Sequence, residues 1–536
     1  MGSTKLKLVL YGIDAADWQV MQPFLDAGAL PNLQGLLAGA GRAELESTIP
    51  ASTAVAWPTA MTGCNAGKHG LFHFMHLRDH RMRPVSSADR RAPAVWEILS
   101  AAGFRVGCIG VPMTYPADPI NGWMVCGRGG THHWDERSVW PATVYDEVRP
   151  LLRHYPDYNL LRRTDVPGRA RQLTDYWRDR TALNPKLLSH LLSNHPVDVL
   201  IVGENITDSV QHKLLVSRRM GDVEDMVLWA YQQADALLGV VLPHTDERTS
   251  FLVISDHGAQ PLRGYFDLSA WLVEARYLRY RVSSASGPVP RALLSAASKA
   301  YRKLLRSLWS RRQVRSFAGV ASILKFSTLI DWPHTTAFPW LTGGIMLNTE
   351  GRSPLAAVSA DAAEALAVEI RDRVQQITNP FTGEQDIVAH LREELYHGPA
   401  IGLAPDVTVV PQGLALAVNS SPPYGRGQVF WTEEDLRRAG LGHVIVTEGA
   451  HRSRGILALY PSPADLPEVA DITCVAPTAL GLLGVPVPAH MDGQSLVGAE
   501  RAEGEPVPTR QATASADYTE EEQEEIARRL ADLGYL

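Results

Sequence analysis

The sequence predicts an α/β protein, a mostly parallel central sheet sandwiched by helices, on three observations. Four short apolar runs, Leu8–Ile13, Val199–Val202, Phe251–Ser255 and Val444–Thr447, are each followed by acidic or histidine residues: Asp14, Asp208 with His212, Asp256-His257, and His451. Reactive side chains at the carboxyl ends of several buried strands are the expected layout of a site in an open α/β sheet. Residues 5 to about 130 alternate strand and helix patterns, which argues for parallel strands with covering helices. The chain has 536 residues, 45% hydrophobic and 20% charged, a composition that supports a large core in a soluble globular protein.

Met1–Lys7 runs straight into the first strand, with no apolar leader or small-residue cleavage site. No stretch approaches the roughly 20 apolar residues that span a bilayer. Cys64, Cys108, Cys126 and Cys474 are scattered without CxxC spacing, as thiols in a reducing cytoplasm would be. A net charge of −7 is modest for this length and does not point to a nucleic-acid polymer as partner. Helix patterns lie at Trp18–Leu25 and Asn32–Leu37, and a strand at Arg105–Gly110. Residues 134–190 are polar and Arg-rich and read as an insertion, after which the core returns at Val197–Val202 and Phe251–Ser255.

A second insertion carries unusual charge. Between Glu274 and Asp331 there are twelve Lys or Arg and no acidic residue. Leu294, Ala297, Tyr301, Leu304, Leu305 and Leu308 form an apolar stripe with the basic side chains mostly off it, so residues 290–316 predict a basic amphipathic helix. Such a helix is a solvated face, a wall attracting an anionic substrate, or a contact with an anionic membrane surface. The sheet pattern resumes at Gly344–Asn348, Val407–Val410, His443–Thr447 and Gly455–Tyr460. The expected organisation is one catalytic body over 1–500 with cap insertions at about 130–195 and 265–340. A linker over 501–518 and a terminal helix over 519–536, opening on the capping-box pattern Thr519–Glu522, complete the chain.

The site residues divide into two sets. Asp208 and His212 are one helical turn apart and can share a face and a metal, with His451 as a third ligand. Asp14, Asp256 and His257 can form the second set. Carboxylate and imidazole donors suit Zn²⁺ first and also Mn²⁺. Two such ions about 4 Å apart stabilise the attacking and leaving oxygens of an in-line phosphoryl displacement. The segment Ile49–Gly63 supplies a nucleophile: Thr53 or Ser52 at a helix N-terminus, where backbone N–H groups favour an anion and a metal on the hydroxyl would lower its pKa. An isolated Ser-Thr pair in that place is most often only an N-cap.

Taken together, Gly12-Ile13-Asp14, Thr53 with Thr62-Gly63 and Lys68-His69-Gly70, Asp208-x3-His212, Asp256-His257-Gly258 and Gly449-Ala450-His451 resemble the alkaline phosphatase superfamily. They are most similar to its type I phosphodiesterase/nucleotide pyrophosphatase branch, in the same order and over most of the chain. The resemblance implies an alkaline phosphatase-like fold and a dinuclear phosphodiesterase acting through a phospho-threonine on Thr53. It implies one ion on Asp208, His212 and His451, and a second on Asp14, Asp256 and His257 close to Thr53, with a small phosphate ester as substrate. Vertebrate-type members carry a phosphate-holding asparagine in the stretch that here reads Phe72-His73-Phe74-Met75-His76, so His73 or His76 takes its place or nothing does; His73, with Lys68 as the local cation, is the candidate for substrate contact. His69 reads as a structural residue at a helix C-terminus, and His132 and His133 as caps of the first insertion. No cysteine lies in a sulfatase-type segment, and no arginine accompanies Thr53 as it does the nucleophile of monoester-cleaving relatives. A phosphomonoesterase or phosphotransferase on the same scaffold, and a non-catalytic binder of anionic lipid surfaces, are the alternatives.

Overall fold

The computed structural model describes residues 5–78, 81–127, 134–152, 169–218, 225–281, 330–412, 415–420, 428–439, 441, 447–503, 518–519, 522–523 and 526. The basic stripe over 290–316, His132 and His133, most of the strand expected at His443–Thr447, the linker from 504 and most of the terminal helix lie outside the described residues.

Nine strands form the central sheet: β1 Leu8–Ile13, β2 Gly41–Glu46, β3 Val106–Ile109, β4 Gly122–Val125, β5 Val139–Trp140, β6 Val199–Glu204, β7 Ser250–Ile254, β8 Arg454–Tyr460 and β9 Val469–Asp471. Their order in space is β9-β2-β8-β7-β1-β6-β3-β4-β5. β1 lies parallel between β6 and β7, with Leu8 opposite both Val199 and Ser250. Only β8, against β2 and β7, and β5, against β4, run antiparallel.

β1 reads LVLYGI without a polar break because both of its faces are covered. Alternate residues serve opposite faces. Val9, Tyr11 and Ile13 join one apolar cluster, and Leu8 and Leu10 the other. The first face is covered by helices α1 Trp18–Asp26, α3 Ala142–Leu152, α4 Arg169–Asn194 and α6 Met226–Val241. The second is covered by α2 Thr53–Thr62 and α8 Val475–Leu482. α5 Ile206–Leu214 follows β6 directly.

Two expectations need correction. Within residues 130–195, expected to cap the site, the described helices pack into the main core: Val148, Leu188 and Leu191 are buried beside Val197 and Leu200. Among the described side chains Asp146, Glu147, Arg149 and Lys186 are exposed, so composition alone gave these helices the look of an insertion. The runs at Gly344–Asn348 and Val407–Val410 do not rejoin the central sheet. They belong to a separate antiparallel sheet in the order 337–340, 344–347, 407–411, 387–391, against which helix α7 Ala360–Gln375 buries Ile370 and Val374. A three-stranded sheet of 264–267, 416–419 and 430–431 adjoins in sequence. The second inserted body therefore extends past residue 340 to about 441. A strand pattern shows that a run is half-buried but not which sheet it joins.

The terminal segment is tied back where it is described. Tyr518 stacks on Tyr115 with centroids 5.6 Å apart, Ile526 is buried, and Thr519 and Glu522 exchange the reciprocal bonds of a capping box. No described helix is long and apolar enough to cross a membrane.

Candidate active site

Strand direction brings the site residues to one edge. β1, β2, β6 and β7 point the same way, and Asp14, the segment leading to Thr53, Asp208 and Asp256-His257 all follow their carboxyl ends. His451 arrives from the opposite sense, just before antiparallel β8. It lies on a short strand, 449–452, that pairs with 258–261 and sets His451 opposite Ala259. Residues far apart in sequence so meet over the sheet's middle.

Thr53 is the first residue of α2, with Ser52 as N-cap. Ser52 makes no side-chain capping bond, so the helix's positive end keeps its capacity for an anion. Thr53 is 5% exposed, and its Oγ1 lies 3.2 Å from His257 Nε2.

Each of the three imidazoles is wired the same way. His257 Nδ1 donates to the Gly258 carbonyl at 3.0 Å, His212 Nδ1 to Gly449 at 3.2 Å, and His451 Nδ1 to Ala51 at 2.7 Å. A carbonyl on Nδ1 fixes the tautomer and turns the Nε2 lone pair inward, the usual preparation of a metal-ligating histidine. His212 Nε2 is 3.2 Å from Asp208 Oδ1 and 2.9 Å from His451 Nε2. His257 Nε2 is 3.3 Å from Asp256 Oδ2 and 3.8 Å from Asp14 Oδ1, and its ring stacks on His451 at 3.7 Å. Ligand atoms of Asp14, Asp256 and His257 converge within 4.8 Å of one another, as do those of Asp208, His257 and His451.

The donor set fits two divalent cations. Asp14 Oδ1 and Asp256 Oδ2 are buried and accept no hydrogen bond. Burial pushes the Asp14 carboxyl up, and the charges of Asp256 and Asp208 push it further. Burial likewise raises Asp256, against the pull of His257. Burial also works against charge on Asp208, but His212 and then His451 hold it below the usual carboxylate range. His451 is pushed well down by burial and by His257 and His212. Buried carboxylates and inward-facing imidazole nitrogens crowded together are costly unless a cation satisfies them.

Lys68 and His73, the expected substrate contacts, are each held by protein groups. Lys68 is paired with Asp492 and donates to the His490 carbonyl at 2.9 Å. Its short helix, 66–69, is anchored by Asn65 to the 395–397 segment, and the lysine closes that junction. His73 is 1% exposed, accepts from Met75 N–H at Nδ1, and burial pushes it down to about 3. His69 is structural: it accepts from Leu71 N–H and meets Thr59 Oγ1 at 3.0 Å.

The fold also recruits residues that no motif announced. Trp57 Nε1 donates to Asp14 Oδ2 at 3.2 Å, and Ala15 N–H to Asp256 Oδ1 at 3.2 Å. Arg452, next to His451, grips Asp17 at 3.0 Å and Glu44 at 2.9 Å. The glycine at 12 was the one available signal, since any Cβ there would lie 2.1 Å from the Trp57 ring.

The sequence profile of the type I phosphodiesterase/nucleotide pyrophosphatase family matches residues 8–413. His451 lies beyond that span, and its place in the site rests on the structure. Phosphonoacetate hydrolase from Sinorhizobium meliloti 1021, solved with phosphonoformate, is similar with a TM-score of 0.52 at 14% identity, over 87% of this chain and 92% of that one. Murine ectonucleotide pyrophosphatase/phosphodiesterase 5 superposes more loosely, with a TM-score of 0.46 at 12% identity over 90% and 95%. At 14% identity the first likeness speaks for the fold, an alkaline phosphatase-like one. No curated protein matches the sequence.

Proposed function

The chain belongs to the type I phosphodiesterase/nucleotide pyrophosphatase family and is a phosphoric ester hydrolase, and within that class we propose that it cleaves phosphodiesters through a covalent intermediate on Thr53. The observation that carries this reading is the convergence of three carbonyl-locked imidazoles and three buried carboxylates, with His257 Nε2 3.2 Å from the hydroxyl of Thr53 at a helix N-terminus. Asp208, His212 and His451 would hold one divalent ion, and Asp14, Asp256 and His257 a second, with Thr53 as a further ligand. Bound there, the ions supply Lewis-acid charge to the phosphoryl oxygens and to the attacking and leaving oxygens. Imidazole with carboxylate favours zinc, with manganese second.

The chain's own part is positional. α2 presents Thr53 Oγ1 with its first turn behind it, so an incoming phosphoryl group meets both the hydroxyl and the helix's positive end. Attack forms the bond from Oγ1 to phosphorus as the bond to the leaving alkoxide breaks; water then cleaves the new bond and restores threonine. Lys68, the first basic residue after Thr53, and Arg452 beside His451 are both paired with carboxylates. A site whose neighbouring cations are so engaged favours a diester monoanion over a monoester dianion. The intact ligand set and the family set aside a purely binding role.

Hydrolysis of a chromogenic aryl phosphodiester, its monoester and its sulfate analogue by the metal-loaded protein tests this. The expected result is preferential diester turnover, lost on chelation and restored by zinc or manganese. Preferential monoester turnover would overturn the diester reading.

A further inference from the structure

Between the two ligand sets lies a turn that α5 holds from outside. Asp208 and His212 are four residues apart and face the site. Thr207 and Gln211, also four apart, form the adjacent stripe of the same helix. Thr207 Oγ1 donates to the Asp14 carbonyl at 2.5 Å, and Gln211 Nε2 to the Ala15 carbonyl at 2.9 Å. Both side chains are buried, at 0% and 1% exposed. The turn they grip is strained: Ala15 has φ of 57°, in the left-handed region that a Cβ disfavours. In that conformation the Ala15 N–H reaches Asp256 Oδ1, while Asp14, one residue earlier, reaches the same ligand set.

We propose that Thr207 and Gln211 are positioning residues that tie the two ion sites into one unit. The helix that supplies Asp208 and His212 to one set fixes, through these two bonds, the backbone corner that aims Asp14 and steadies Asp256 in the other. Without the grip on its carbonyl, Ala15 relaxes toward negative φ, its N–H leaves Asp256, and Asp14 turns from its partners. The set of Asp14, Asp256 and His257 then weakens, while Asp208, His212 and His451 keep their own supports. This rests on the two-ion reading above.

Zinc titration of the chelator-stripped full chain, followed by calorimetry, tests it without reference to turnover. The wild type is expected to take two ions. Gln211→Met is expected to weaken one of them about tenfold and leave the other unchanged, and Thr207→Val to act in the same sense. Adding Ala15→Gly to Gln211→Met is expected to restore the weakened ion, because glycine adopts the left-handed conformation without a side-chain penalty. Wild-type constants in both Gln211→Met and Thr207→Val, or equal weakening of both ions without rescue by Ala15→Gly, would overturn the proposal. Fewer than two ions on the wild type would instead overturn the two-ion reading, and this inference with it.

Discussion

Histidines in this protein are wired in two opposite senses. His212, His257 and His451 donate from Nδ1 to backbone carbonyls, which leaves Nε2 as the inward lone pair. His69 and His73 accept backbone N–H at Nδ1, from Leu71 and Met75, which places the proton on Nε2. The sequence shows only that a histidine follows a strand or a glycine; the wiring depends on which carbonyl or amide the fold brings beside it. That is why the six acidic and histidine candidates were readable as a cluster from their positions after apolar runs, whereas the protein partners of Lys68 and His73 were not. The second wiring has a pH signature. Burial, with Arg90 adding to it, pushes His69 down to about 3, against an ordinary value near 6.5. The unfolded chain binds a proton there that the folded chain refuses, so this stability is complete above pH 6.5 and is lost as pH falls toward 3. Denaturation midpoints at pH 7.5 and 5.5 should fall less steeply in His69→Gln than in the wild type, by about 1 kcal/mol for one group across one pH unit below its unfolded value. Equal slopes would remove His69 from the account.

At the scale of elements, the site depends on how closely α2 lies on β1. The Trp57 indole crosses Gly12, donates to Asp14, and is almost fully buried. Gly12→Ala forces the ring away from the strand and should cost about 1–3 kcal/mol as overpacking, with loss of ion binding because Asp14 moves with the ring. A denaturant midpoint and an ion count on the same variant check both parts, and full ion content with an unchanged midpoint would contradict the packing argument. β1, β6 and β7 were legible because strands covered on both faces read as unbroken apolar runs. The strands at 344–347 and 407–411 were equally legible as strands, but their pairing is a long-range property that no local pattern carries. Trp57, Thr207 and Gln211 escaped because a tryptophan in an apolar helix, and a threonine and a glutamine in a largely polar one, have ordinary reasons to be there.

On the whole-molecule scale, a parallel sheet places the ends of β1, β6 and β7 together, and one antiparallel strand, β8, brings His451 in from the other direction. The core layout follows from the alternation of strands and helices; the second body, from about 264 to 441, does not, since its sheets join strands far apart in the chain, 264–267 with 416–419 and 344–345 with 407–408. Asp14, Asp208, Asp256 and His257 are buried and crowded against the partly exposed His212 and His451, an arrangement that a divalent cation would relieve. Zinc at about 100 times its dissociation constant should therefore stabilise the protein by about 2.7 kcal/mol per ion bound only to the folded state. A chelated and a zinc-loaded melt compare the two, and Asp14→Asn with Asp256→Asn should shrink the difference. An unchanged melt on chelation would argue against resident ions.

The central claim is that Thr53, and not a bound water alone, attacks phosphorus. The direct test is diester turnover and metal content measured on one sample of Thr53→Ala. The account predicts two ions per chain, as in the wild type, with turnover lower by on the order of a thousandfold or more. Wild-type turnover in Thr53→Ala with both ions in place would contradict it.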